Sequence, residues 1–153
     1  MHTVDRVVIR APIDRVLQLA ADVERWPSIL SHYRSVRFVE RRNGGGLVEM
    51  AAVRPFGPLR YPAWWVSQMT VDRAAAEIRY RHVRGITSGM EVVWRLAPGP
   101  DGVHVTVVHD WEGPRWPLVG GLVARCVIGP VFVHGIAART LAGLKRFAEE
   151  ARR

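Results

Sequence analysis

Residues 3–10 alternate, with Val4, Arg6, Val8 and Arg10 set against Asp5, Val7 and Ile9, which predicts a first strand. Pro12 follows where a helix can begin, and Val16, Leu17, Leu19 and Ala20 keep helical spacing to about Val23. Trp26-Pro27-Ser28-Ile29-Leu30 predicts a second short helix, with Pro27 in its first turn. Residues 33–42 read as a strand stopped by Asn43-Gly44-Gly45-Gly46, and residues 47–54 as the next, stopped by Pro55-Phe56-Gly57-Pro58. Strands are predicted again over 59–71, 77–84 and 90–96, then over 103–111 after Pro98-Gly99-Pro100-Asp101-Gly102. Beyond Pro117 the pattern turns helical to the end. Leu118, Leu122, Cys126, Val133, Ala137, Leu141, Leu144 and Ala148 form one stripe, opposed by Arg139, Lys145, Arg146, Glu149 and Glu150. Gly129-Pro130 is expected to kink or split that helix, and 116–130 is expected to form a mobile portal.

A strand, two short helices, six strands in a row and a long helix argue an α+β fold with an antiparallel sheet of about seven strands. So many meandering strands cannot lie flat against one helix. The sheet is expected to curl around it and to leave an internal hydrophobic cavity where filling side chains run short.

The length, 153 residues, suits one domain covering 1–153, and 48% hydrophobic with 24% charged residues is a globular balance. Cys126 is the only cysteine, which excludes an intrachain disulfide and any zinc site built on two thiolates. No metal or cofactor is expected. Asp5, Arg6 and Arg10 interrupt the place of a secretory signal, and charges, glycines and Pro130 interrupt the apolar stretch 118–138, so a cytoplasmic protein without a membrane span is expected. The net charge of +8 rests on 22 basic residues spread along the chain, Lys145 being the one lysine. They form no recognisable nucleic-acid module, so no nucleic-acid partner is expected. The charge does suit an acidic acyl carrier protein or contact with an anionic membrane surface.

Ala11-Pro12, Asp22, Trp26-Pro27, the run Ser31-His32-Tyr33, Trp65-Val66-Ser67 and the terminal helix together resemble the START-like, helix-grip (Bet v 1-like) superfamily over essentially the whole chain. Within it the chain looks most like polyketide cyclase/dehydrase proteins of the aromatase/cyclase kind, with coenzyme Q-binding proteins as relatives. The resemblance implies a polyketide cyclase, or in second place a non-catalytic lipid or quinone carrier. It places Tyr33 at the family's cavity tyrosine, and Met69 where the aromatase/cyclases carry a cavity arginine. A neutral thioether then stands where a cation would stabilise an enolate.

Alternation predicts the cavity wall. Tyr61, Ala63, Trp65, Ser67 and Met69 share one face of their strand, and Ile78, Tyr80 and His82 one face of the next. Met90, Val92, Trp94 and Leu96, then Val105, Val107, His109 and Trp111, follow in the same way. The strand over 47–54 has no cleanly apolar face. Trp26, Tyr61, Trp65, Ser67, Met69, Tyr80, Met90, Trp94, Val107 and Trp111 are the ligand-binding candidates, suited to a flat, apolar, partly aromatic ligand. Tyr33, His82 and His109 are the catalytic candidates, because imidazole and phenol can hold or move a proton. Glu77, Glu91 and Asp110 fall on outward faces, so no inward carboxylate pair supports glycosidase chemistry.

Overall fold

The computed structural model describes the backbone of residues 1–56, 58–114 and 133–151, and the side chains of these except 54–56. Strand β1 (His2–Ile9) leads into helix α1 (Ile13–Ala21), a 3₁₀ turn and helix α2 (Trp26–Ile29). Then come β2 (Tyr33–Arg42), β3 (Gly45–Phe56), β4 (Leu59–Asp72), β5 (Glu77–Gly85), β6 (Glu91–Gly99) and β7 (Gly102–Asp110), and helix α3 (His134–Glu150). They form one seven-stranded antiparallel sheet in the order β1-β7-β6-β5-β4-β3-β2. This is the expected α+β helix-grip architecture. Among the described residues no helix is long and apolar enough to cross a membrane. The expected portal over 116–130 and the leading half of the helical stripe lie outside the described residues.

Helix α3 packs on β1, α1, α2 and β3. Its buried stripe is Ala137, Thr140, Leu141, Leu144 and Ala148, the apolar spacing read from the sequence with one hydroxyl inserted. Gly143 permits a close approach, since a Cβ there would stand 2.3 Å from Leu30 Cδ2. Lys145 departs from its expected solvent face: its Nζ donates to Val8 O at 2.6 Å and reaches Glu149 at 2.7 Å, tying the helix to β1.

Two prolines expected to stop strands lie inside them. Pro55 pairs with Arg60 on β4 and Pro98 with Val103 on β7. Each has a strand on one side only, because β2 pairs with β3 no further than Ala52 and β5 with β6 no further than Arg95. A missing N–H costs no ladder bond on an unpaired side. The inward face of β3, undecided from the sequence, is Val48, Met50 and Ala52, all at most 2% exposed.

One irregularity positions the site. Trp65 pairs with Gly85 and Val66 with Arg84, but Ser67 pairs with His82, so Val83 is an extra residue and β5 bulges there. Gly85 has φ +99°, and a Cβ on it would stand 2.4 Å from the Trp64 carbonyl oxygen. Only glycine combines that backbone with that approach. Gly85→Ala is therefore expected to cost about 2 kcal/mol or more in urea unfolding, whereas Gly89→Ala, whose Cβ meets nothing within 4 Å, gives up only the positive-φ term.

Candidate functional site

Between the sheet and the helices lies a cavity of about 460 Å³, within the range that holds small organic ligands. Five of its rings touch in sequence across five elements. Trp94 of β6 lies 5.8 Å from Trp26 of α2, Trp26 lies 5.1 Å edge-on to Tyr33 of β2, and Tyr33 lies 6.3 Å from Trp65 of β4. Trp65 then stacks on His82 of β5 at 5.8 Å with only 12° between the planes. Trp26 is fixed by its indole N–H, which donates to Leu19 O at 3.1 Å. Tyr80, Met90, Val107 and His109 complete the sheet side, and Val133, Ile136, Ala137 and Thr140 close the helix side. Tyr61, Trp64 and Ile86, each more than 40% exposed, line its outer end.

The structure thus brings together Tyr33, His82 and His109 with Trp26, Tyr61, Trp65, Tyr80, Met90, Trp94 and Val107 on one cavity. Ser67, Met69 and Trp111 point inward but do not line it. Ser67 is fully buried opposite Val48 and His82, and Met69 is buried between its partners Gly46 and Tyr80. Trp111 donates its indole N–H to Ser88 O at 3.0 Å, away from the wall. An inward face is deeper than the cavity cut from it. Sequence reasoning missed Trp64, whose strand parity points outward, and two threonines. Thr140 could have been noticed as a hydroxyl on an apolar stripe; Thr87 sits in a loop and carries no such signal.

The polar groups are held neutral. Burial lowers His82 to about 3, with repulsion from nearby His109 adding to it. Burial lowers His109 to about 4, against the pull of Asp110. Tyr33 is pushed up to about 12 by burial, partly relieved by Thr140, and Tyr80 is raised as well by burial and then by Tyr33. His82 Nδ1 lies 2.7 Å from Thr87 Oγ1. On the other side Thr140 Oγ1 donates to Ile136 O at 2.8 Å, with His32 Nε2 at 3.0 Å and the Tyr33 hydroxyl at 3.4 Å. Three buried polar atoms have no protein partner among the described residues near this wall: the Tyr80 hydroxyl, His109 Nδ1 and Ser67 Oγ. Among the described residues no cluster of three or more His, Cys, Asp or Glu side chains could hold a metal ion.

The family model described as polyketide cyclase/dehydrase and lipid transport matches residues 9–127. A Streptomyces halstedii protein assigned as a polyketide cyclase is 35% identical over 104 residues, 67% of this chain and 93% of its own. One from Streptomyces cyaneus, assigned likewise, is 32% identical over 117 residues, 72% of each chain. Among solved structures, the Zhui aromatase/cyclase from a Streptomyces species superposes with a TM-score of 0.81 at 22% identity, over 100% of this chain and 96% of its own. A START superfamily protein from Mycobacterium smegmatis gives 0.72 at 18% identity over 98% of both. Both likenesses establish the helix-grip fold.

The neutral histidines have a consequence for stability. Their folded pKa values lie below the unfolded value near 6.5, so the unfolded chain takes up protons first as pH falls. Stability is expected to drop from pH 6.5 downward, by on the order of 2 kcal/mol for each histidine by pH 5. His82→Gln and His109→Gln should each flatten the decline of melting temperature between pH 7 and pH 5.

Proposed function

Because the chain belongs to the polyketide cyclase/dehydrase and lipid transport family, we propose that it encloses a hydrophobic polyketide or similar aromatic-type chain in this cavity and directs its cyclisation. The reading rests above all on the unbroken run of rings from Trp94 to His82 around about 460 Å³ of space. Flat faces set at fixed angles favour a planar ligand and limit how a flexible one folds. Confinement of that kind supplies orientation, which by itself removes much of the barrier to an intramolecular closure.

Proton handling falls to three groups. Tyr33 keeps its proton near neutral pH and donates a hydrogen bond toward an oxygen on which charge develops during ring closure. His82 and His109 stay neutral, so each offers a ring N–H or a lone pair, not a cation. An acidic acyl carrier protein delivering the chain suits the net charge of +8. A second reading is a non-catalytic carrier of a lipid or quinone: the resemblance implies that the aromatase/cyclases carry an arginine at the place of Met69, which is neutral and buried here.

The two readings part under mutation. Tyr33→Phe, His82→Ala and His109→Ala leave most of the apolar wall, so affinity for an aromatic ketone, followed by tryptophan quenching, should change only modestly. With a poly-β-ketone mimic, at least one of the three is expected to cut the cyclisation rate by about 10²–10⁴-fold. If wild type and all three variants give the uncatalysed product profile while still binding ligand, the carrier reading stands.

A further inference from the structure

Two contacts fix the imidazole of His82 at the cavity wall. Trp65 stacks on its face, which sets the plane of the ring. Thr87 Oγ1, 2.7 Å from Nδ1, sets which edge of the ring points to the loop between β5 and β6. That loop in turn holds Thr87 in place. Ser88 N donates to Gly85 O at 3.1 Å, Met90 N to Thr87 O at 3.0 Å and Gly89 N to His82 O at 2.8 Å. The Ser88 hydroxyl donates to Val83 O at 3.2 Å, and the Trp111 indole N–H to Ser88 O at 3.0 Å. Trp111, off the cavity wall itself, thus anchors the loop that reaches it. The second ring nitrogen of His82, Nε2, has no hydrogen-bond partner among the described residues, and unlike the Tyr80 hydroxyl and His109 Nδ1 it is not closed off. Since His82 lines the cavity, Nε2 is the ring nitrogen that a ligand can reach.

We infer that Thr87 is a positioning residue: its hydroxyl donates to His82 Nδ1 and leaves the ring hydrogen on Nε2, so that His82 meets a ligand as a hydrogen-bond donor and not as a base. The inference rests on the cavity being the binding site, as above, and adds what its histidine offers there. Burial disfavours the charged form of His82, so the ring is neutral and has one hydrogen for two nitrogens. Which nitrogen holds it follows from the bond that the other makes. At 2.7 Å the Thr87 contact is short for a ring N–H donor, whose bonds cluster near ~2.9–3.0 Å, and ordinary for a hydroxyl donor, near ~2.7–2.8 Å. Hydrogen on Nε2 is also the form that an unconstrained neutral imidazole side chain favours. A ring whose bare nitrogen is already taken by Thr87 accepts no proton from a ligand. What it supplies is a fixed N–H for an oxygen on which charge develops.

NMR of isotope-labelled histidine ring nitrogens tests this on the whole protein at pH 8, with His82 assigned by the signals lost in His82→Gln. Wild type is expected to show His82 with a protonated Nε2 and a bare Nδ1. Thr87→Val keeps the shape and removes the hydroxyl, so the Nδ1 signal should shift and broaden, while Thr87→Ser keeps the wild-type pattern. Two probes of similar shape, 2-acetylnaphthalene and 2-ethylnaphthalene, read the consequence for binding by tryptophan quenching. Thr87→Val is expected to weaken the ketone by about 2–10-fold, one neutral hydrogen bond, and to leave the hydrocarbon unchanged; Thr87→Ser should restore the ketone. A protonated Nδ1 in wild type overturns the proposal and leaves the cavity reading intact, since Thr87 would then accept and His82 would present a lone pair. Unchanged signals and affinities in Thr87→Val, or equal losses for ketone and hydrocarbon, make Thr87 a loop residue and overturn its assigned role. If neither probe binds wild type, the cavity reading fails and the proposal falls with it.

Discussion

The wedge of Trp26 between the helical layer and the sheet is the contact on which the rest depends. Its indole is pinned to α1 through Leu19 O, while its ring meets Tyr33 on β2 and Trp94 on β6, strands that do not pair with each other. A rigid ring between the layers holds them apart by the width of a side chain, and the space beyond it stays open instead of collapsing. The open space between the layers thus comes down here to one well-anchored aromatic on a four-residue helix.

Holding such a space open destabilises a fold, and the compensation lies in how firmly α3 is attached. Lys145 and Glu149 bind the end of β1 at the helix's later turns, and Arg10 N donates to Glu149 at 2.9 Å. At its start His134 Nδ1 meets the buried Asp5 carboxylate at 2.6 Å. Asp5 sits on the inward side of β1, where burial raises its pKa against the lowering effect of His134. Between these anchors Thr140 joins the helix to His32 and Tyr33. Polar contacts hold the perimeter, and the middle is left largely apolar.

Much of this was legible in the sequence because strand parity is a strong signal. Each strand shows in the alternation, and Trp65, Tyr80, His82, Trp94, Val107 and His109 face inward as their parity implies. What failed had local physical causes. Pro55 and Pro98 belong to strands because their neighbours end early, a fact about pairing that a single strand cannot reveal. Parity also says which way a side chain points but not how far the cavity extends, so it cannot separate Ser67, Met69 and Trp111 from the residues that line the wall. Trp64 is the converse: outward by parity, half-exposed, and still on the rim. Thr87 belongs to the loop between β5 and β6, where no periodicity operates.

The bulge at Val83 has a meaning beyond local geometry. In regular pairing, with Ser67 opposite His82, Val83 would face Val66 and Arg84 would come opposite Trp65, with its guanidinium directed inward. The extra residue shifts the phase of the strand by one, so that Gly85 takes that place and Arg84 faces solvent. The polarity of the interior is therefore written in the strand's phase as much as in its alphabet. Two relatives with the same residue types around their cavities could differ in the charge they present to a guest through a single insertion or deletion in β5, a change that a column-by-column comparison of lining residues would overlook.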